Sequence, residues 1–235
     1  MKGRIAGLDR TLWPALIVLA AMLAGFEFTG LDLAVQDRLY DFEARRWAVD
    51  AQDPLGRALF YTGPKVAFII PIGIAVLALA VGPARWRDRL RFGRRDVWVA
   101  FLTMATVPIL AGLGKKHSNI FCPSEIHRYG GDVPYVKLCE PYPANDRPDR
   151  LGHCFPAGHA SGGFALLGLM WLRRTRGWKL GGLVLGIGLG WWMGGYQMLK
   201  GAHYLSHTVV TMLGAWIILL AWRRVVRPAP DKTPT

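Results

Sequence analysis

Acidic side chains are scarce in this chain. Its 235 residues hold 16 Asp and Glu against 29 Lys and Arg, and only 19% of residues are charged. With 52% hydrophobic residues, this composition excludes a disordered basic tail, which requires low hydrophobicity. A soluble nucleic-acid binder is excluded as well, because its apolar residues would fall in short periodic stripes and not in long runs. Nucleic acid is therefore not an expected partner. Cysteine is sparse, at three residues, and no Cys-x-x-Cys or His-Glu-x-x-His sequence announces a metal site. A cleavable signal peptide is also missing. The first apolar run follows basic residues, but it is long and lacks a small-residue cleavage site after it, so it reads as a retained anchor.

What the chain does have is apolar runs. A helix needs about 20 residues to span roughly 30 Å of hydrocarbon. Six runs approach this length, at residues 12–28, 66–81, 97–113, 155–172, 180–199 and 207–222. The fourth carries Gly158, His159, Ser161, Gly162 and Gly163, and the fifth is rich in glycine. Such small residues suit close helix contact inside a bundle. The expected fold class is all-α, an integral membrane bundle of six transmembrane helices, with residues 1–235 forming a single membrane domain.

Charge then orients the bundle. Lys2, Arg4 and Arg10 precede the first run, and Arg85, Arg87, Arg89, Arg91, Arg94 and Arg95 separate the second from the third. Arg173, Arg174, Arg176 and Lys179 lie between the fourth and fifth, and Arg223, Arg224, Arg227 and Lys232 follow the sixth. Against these stand Asp9, Asp88, Asp96 and Asp231, so the whole net charge of +13 belongs to alternate segments and the others are neutral. The positive-inside rule puts the charged side, with both termini, in the cytoplasm. Trp13, Trp86, Trp98, Trp171, Trp178 and Trp222 gather at that side, as an interfacial belt would. Residues 36–65, with Trp47 and balanced charge, are expected to form an amphipathic helix on the outer surface.

All six His and all three Cys lie between His117 and His207, on the opposite, extracytoplasmic side. Cys122, Cys139 and Cys154 share the loop 114–154. An oxidising compartment permits one disulfide there, and each of the three pairings is open. This irregular loop, rich in Pro, Gly and Asp, is expected to border the active site.

Three segments carry the chemistry. Lys115, Lys116 and His117 precede Cys122 and Pro123. Cys154-Phe155-Pro156-Ala157-Gly158-His159-Ala160-Ser161 opens the fourth run. Lys200-Gly201-Ala202-His203-Tyr204-Leu205-Ser206-His207 joins the fifth run to the sixth. Pro156 suits a first helical turn, whose free N–H groups, with Gly158 allowing close approach, form an anion site. His159 beside such an anion would serve as a proton donor. If the third segment is helical, Lys200, His203 and His207 share one face. An imidazole nitrogen can attack phosphorus and hold the phosphoryl group covalently.

These segments resemble the three motifs of the type 2 phosphatidic acid phosphatase superfamily: K-x6-R-P, then P-S-G-H, then S-R-x5-H-x3-D. Lys115 and Pro123 keep the first spacing, with Cys122 at the Arg position. Pro156-Ala157-Gly158-His159 is similar to the second, with Ala157 for Ser. In the third, His203 takes the nucleophile's place, His207 stands where Asp orients it, and Tyr196 and Gln197 replace Ser-Arg. The resemblance implies a metal-independent membrane phosphatase needing no cofactor. His203 would form a phosphohistidine and His159 would be the acid and base. Lys115 would bind phosphate, helped by Lys116, Arg128, Lys200, Gly158 and Ser161. The orienting group would be His207, or Asp132, Asp146 or Asp149. The expected partner is a membrane lipid bearing a phosphate, such as a lipid A phosphate or undecaprenyl diphosphate, met at the periplasmic face of a bacterial inner membrane. Transfer of the phosphate to another lipid is chemically close. Two readings from other classes start from the same residues. His203 and His207 have i, i+4 metal-ligand spacing, which His159, His117 or a Cys would complete. The substituted motif positions also fit a non-catalytic lipid-binding protein on the same scaffold.

Overall fold

The computed structural model describes residues 2–173 and 175–226, with side chains from residue 11 onward. Of the charges counted above, Arg174, Arg227, Asp231 and Lys232 lie outside these residues, as do the side chains of Lys2, Arg4, Asp9 and Arg10.

The chain is mostly helical. Helix α1 (Lys2–Phe28) is followed by the short α2 (Leu31–Gln36). Strands β1 (Tyr40–Asp41) and β2 (Arg46–Trp47) form a small antiparallel hairpin with Tyr40 opposite Trp47. Its turn is built by Asp41, whose Oδ1 accepts from the N–H groups of Glu43 and Ala44. Helix α3 (Pro54–Arg57) starts where the Asp53 carboxylate accepts from Leu55 and Gly56, with Pro54 at its first position. Two π-helical stretches, Ala58–Thr62 and Lys65–Ile69, lead into α4 (Ile70–Val81). Helix α5 (Ala84–Leu90) is short, and α6 (Arg94–Ser118) ends where Asn119 turns left-handed. Helix α7 (Gly158–Ala165) continues as a 3-10 helix, Leu166–Trp171. Helices α8 (Arg176–Leu199) and α9 (Leu205–Val225) complete the bundle.

Among the described residues, four helical stretches are long and apolar enough to cross a membrane: Thr11–Phe28, Pro54–Val81, Arg94–Ser118 and Leu205–Val225. Their outward faces keep Ile17, Ile74, Leu110 and Val225 exposed, among others. So much contiguous exposed apolar surface marks a membrane-facing wall.

The expected fourth and fifth spans are helical but are not among these four. Helix α7 and its 3-10 continuation have eight and six residues, a rise of roughly 24 Å. They form the centre of the bundle, with Ala160, Phe164, Leu166 and Leu167 fully buried. Helix α8 has the length, at 24 residues, but its glycines dilute its apolar character. They are there for packing. A Cβ on Gly163 would collide with the Gly190 backbone, and one on Gly190 would collide with the Phe164 ring. Two backbones can approach this closely only without side chains.

Residues 36–65 differ from the expected amphipathic helix. They hold the hairpin, the start of the second long helix and the turns between, because Asp41, Asp50 and Asp53 each bond nearby backbone N–H groups and break the run into turns. The expected loop 114–154 starts later, because α6 runs on to Ser118, and residues 119–154 hold only two 3-10 turns and two isolated bridges. Tyr40, Phe121, Ile126, Tyr129 and Val133 bury each other beneath the hairpin. Arg128 pairs with Asp37, and Arg150 with Glu125 and Asp132. Cys122 and Cys154 form the disulfide, and Cys139 is free and exposed.

Candidate active site

The first two motif segments are laced together side by side. Cys154 N–H donates to Ile120 O (2.8 Å), Gly152 N–H to Asn119 Oδ1 (2.9 Å) and Ser118 Oγ to Phe155 O (2.7 Å). The disulfide closes a loop with a sequence separation of 32, which the loop-entropy model values at about 3–4 kcal/mol. The third segment joins through Ser124 N–H, which donates to Gly201 O (2.9 Å). Gly201 has φ +71, and a Cβ there would strike Trp47 of the hairpin. Only glycine suits both conditions. This turn ends the helical register, so Lys200, His203 and His207 do not share a helix face: α8 stops at Leu199 and α9 begins at Leu205.

Polar side chains of α2 then fix the third segment. Gln36 Nε2 donates to His203 O (2.7 Å), and Asp32 Oδ1 accepts from Ser206 N–H (2.8 Å). Pro156 lies two residues before α7, after a cis peptide bond, and not in the first turn. Ala157 N–H donates to Thr211 Oγ1 (2.9 Å), which locks α7 to α9.

The result is a row of three imidazoles. His203, only 1% exposed, occupies the middle. Its Nε2 is 3.5 Å from His159 Nδ1, and its Nδ1 is 3.4 Å from His207 Nδ1 and 3.5 Å from Cys154 Sγ. Burial first, then the His207, Lys115 and His159 charges, hold the His203 imidazole well below its usual pKa. This favours the neutral form, in which one ring nitrogen keeps a free lone pair. His159 rests edge-on against the Tyr61 ring, centroids 4.8 Å apart.

Lys115, from the last turn of α6, reaches across the start of α7. A Cβ on Gly158 would lie 3.0 Å from Lys115 Cε and 3.5 Å from its Nζ. Lys115, Lys200 and Lys65 are the cations near enough to act on His159. Burial, then Arg57, lowers the Lys200 pKa, and its ammonium lies 5.0 Å from the Tyr196 ring centre. The N–H groups of the first turn of α7 lack intrahelical acceptors and carry the positive end of the helix dipole.

Other expected residues are placed differently. Lys116 is exposed, one step around the helix from Lys115. Arg128 is held by both Asp37 oxygens at 2.7 Å, with Tyr129 as a third party, so its guanidinium already has its anion. Ser161 is buried and its hydroxyl donates back to Gly158 O (2.7 Å). His117 is exposed. Of the acids considered for orienting His203, Asp132 pairs with Arg150 and Asp146 with His127, while Asp149 is exposed. The ligand atoms of Cys122, Cys154 and His203 lie within 4.8 Å of one another. The two sulfurs are bonded to each other, however, and a disulfide is not the thiolate that binds zinc.

A family model for the PAP2 superfamily matches residues 96–230, more than half of the chain. The chain belongs to the PAP2 superfamily. No curated protein and no solved structure matches it. PAP2 membership brings phosphatase-type chemistry on phosphate esters, here in a protein with helices long and apolar enough to cross a membrane. The matched PAP2 segment contains all three motifs. Asp32, Gln36, Trp47, Tyr61 and Lys65 lie before it, and they are the site-building residues that motif reading misses. The one available signal for Asp32 and Gln36 is two polar residues at i, i+4 beside an apolar run, which is too common to single them out.

Proposed function

We propose that this PAP2 protein is a metal-independent phosphatase of a membrane lipid bearing a phosphate or diphosphate monoester. The observation that carries this is the alignment of Lys115 Nζ, the α7 N-terminus and His159 on one side of His203, with His207 behind it. One side offers positive charge for a phosphate, and the buried neutral imidazole offers the nucleophile. His203 Nε2 attacks phosphorus, the bond to the lipid oxygen breaks, and His159 gives that oxygen its proton. His159 then takes a proton from water, which attacks the phosphohistidine and releases inorganic phosphate.

Geometry adds a requirement. An attacking atom sits about 3–3.5 Å from phosphorus, and the acid a hydrogen bond beyond the leaving oxygen. His203 Nε2 and His159 Nδ1, 3.5 Å apart, must separate for the phosphate to enter between them. His159 is the ring that moves in this reading, because its wall is Tyr61 on the segment joining α3 to α4, whereas His203 is fixed through its own carbonyl.

In the full reading, all six apolar helical segments lie within the bilayer, and α7 and α8 are shielded by the other four. Both termini are cytoplasmic. The site opens at the outer leaflet, with residues 114–154 as its border. The disulfide supports this side, since such bonds persist in oxidising compartments. The lipid tail would lie against the exposed apolar helices. The test is phosphate release from a panel of lipid phosphates and diphosphates, with His203→Ala as the control. Equal release by the variant sinks the assignment, while release and a trapped phosphohistidine lost together support it.

A further inference from the structure

Behind the imidazole row lies a small cavity that this reaction scheme leaves unused. Its volume is about 40 Å³, and Glu27, Asp32, Tyr135, Lys137, Tyr204 and His207 contribute to its wall. One water needs about 10–15 Å³ on this measure, and two to four polar partners. The cavity meets both conditions. Tyr204 is buried to 2% exposure, and its hydroxyl has no hydrogen-bond partner in the protein. Asp32 is buried to 7% exposure, with the Ser206 N–H and hydroxyl both turned to it. A carboxylate has about four acceptor sites, so Asp32 has capacity left.

The chain has His207 where its family's pattern has the Asp that orients the nucleophile. An imidazole at that position cannot define the arrangement alone, because each of its nitrogens can donate or accept. We propose that Asp32 is the positioning residue that sets the protons on the His203–His207 pair, acting on His207 across this cavity through water. The inference rests on His203 being the nucleophile. Burial pushes the Asp32 carboxyl up and the two Ser206 hydrogen bonds pull it down, and in its ionised form it only accepts. A water donating to Asp32 is therefore free to accept from His207 Nε2–H, which leaves His207 Nδ1 as an acceptor. That nitrogen and the Cys154 carbonyl, which both imidazoles face and which only accepts, then take the hydrogen bond from His203 Nδ1–H, and His203 Nε2 is left bare to attack. Of the other groups lining the cavity, Lys137 is a cation, Tyr135 and Tyr204 are hydroxyls that donate as well as accept, and Glu27 is engaged at the loop by the Cys139 N–H, whereas Asp32 is held to Ser206, the residue before His207.

The experiment is 15N NMR of the full chain, labelled at histidine and held in lipid nanodiscs, comparing wild type with Asp32→Asn. The amide keeps an acceptor for Ser206 N–H, but it can also donate, so the water can turn around. Wild-type His203 is expected to hold its proton on Nδ1, and Asp32→Asn to populate the Nε2–H form. An unchanged proton position in Asp32→Asn overturns the proposal, whether or not any lipid is hydrolysed. In the phosphate-release assay, kcat is expected to fall at least about tenfold with KM nearly constant. Asp32→Glu, which keeps the charge, is expected to restore the wild-type proton position. If Asp32→Asn does not fold, Tyr135→Phe removes a hydroxyl from the cavity wall beside Asp32 while keeping the ring. It is expected to shift the proton in the same sense, and no shift there also overturns the proposal.

Discussion

The two ends of the bundle use their cations in opposite ways. At the arginine-rich end, several cations have partners within the fold. Arg87 donates to Leu79 O (2.8 Å) and Gly82 O (3.0 Å), and Arg95 donates to Val226 O (2.6 Å) and to Arg223 O. Arg223 and Lys179 lie over the Trp171 ring. These contacts close helix C-termini, whose carbonyls are otherwise unpaired. At the histidine-rich end, none of the four ion pairs among the described residues uses Lys65, Lys115 or Lys200. Those lysines surround a helix N-terminus, which also favours an anion. A cation with an acceptor in the fold is part of the structure. Lys65, Lys115 and Lys200, around His159, have no carboxylate partner among the four ion pairs, although Lys65 and Lys200 each lie over a tyrosine ring, and in the proposed reading their charge meets an anion that arrives from outside.

The sharpest test of this contrast is His203→Ala, expected to lower phosphate release by at least about a thousandfold, since it removes the covalent step. Comparable loss from Arg87→Ala would break the comparison outright. Next in size is the disulfide. Cys122→Ser is expected to lower unfolding stability by about 2–4 kcal/mol, read as a shifted denaturation midpoint in detergent. Addition of reductant should reproduce the shift in wild type and leave the variant unmoved. Lys115→Ala should cost roughly 10- to 100-fold in kcat/KM, about 1.4–2.8 kcal/mol, with little change in thermal midpoint. Arg95→Ala should do the reverse.

A pH effect follows from His203. The folded protein keeps this imidazole neutral, while the unfolded chain takes up a proton below about pH 6.5. The unfolded state then binds more protons, so stability falls as pH drops through that value and is flat above it, by up to about 1.4 kcal/mol per pH unit. Denaturant melts of wild type and His203→Gln at pH 5 and 8 check this, and an equal pH dependence in both would contradict it. The smallest effect is expected from Arg128→Ala. Its pair with Asp37 is surface-exposed, worth under about 1 kcal/mol, and phosphate release should stay within about twofold. A tenfold loss would return Arg128 to the phosphate site.

Legibility in the sequence divides along the same line as the chemistry. Apolar length alone locates α1, α6 and α9, and the three short motifs locate His159, His203 and Lys115 together. What the sequence hides is pairing between distant segments. Nothing local tells Cys122 to choose Cys154, or Arg128 to choose Asp37 ninety-one residues away. The broken helix at Gly201 is hidden for a similar reason, because the Trp47 ring that leaves no room for a side chain comes from the hairpin. The hairpin itself is masked by a charge balance that looks amphipathic. Asp32 and Gln36 precede the matched family segment, and their importance appears only when α2 is seen against residues 203–206.

The buried α7 has a consequence for how the protein is assembled. Eight α-helical residues opening with Gly-His-Ala-Ser-Gly-Gly form too short and too polar a segment to partition into a bilayer alone. Its backbone hydrogen bonds and its serine and histidine need neighbours already in place. Helix α7 is therefore expected to enter lipid as cargo between α6 and α8, as a unit and not as three independent insertions. His159, which it carries, would reach its depth last, once the helices on either side have built the space for it.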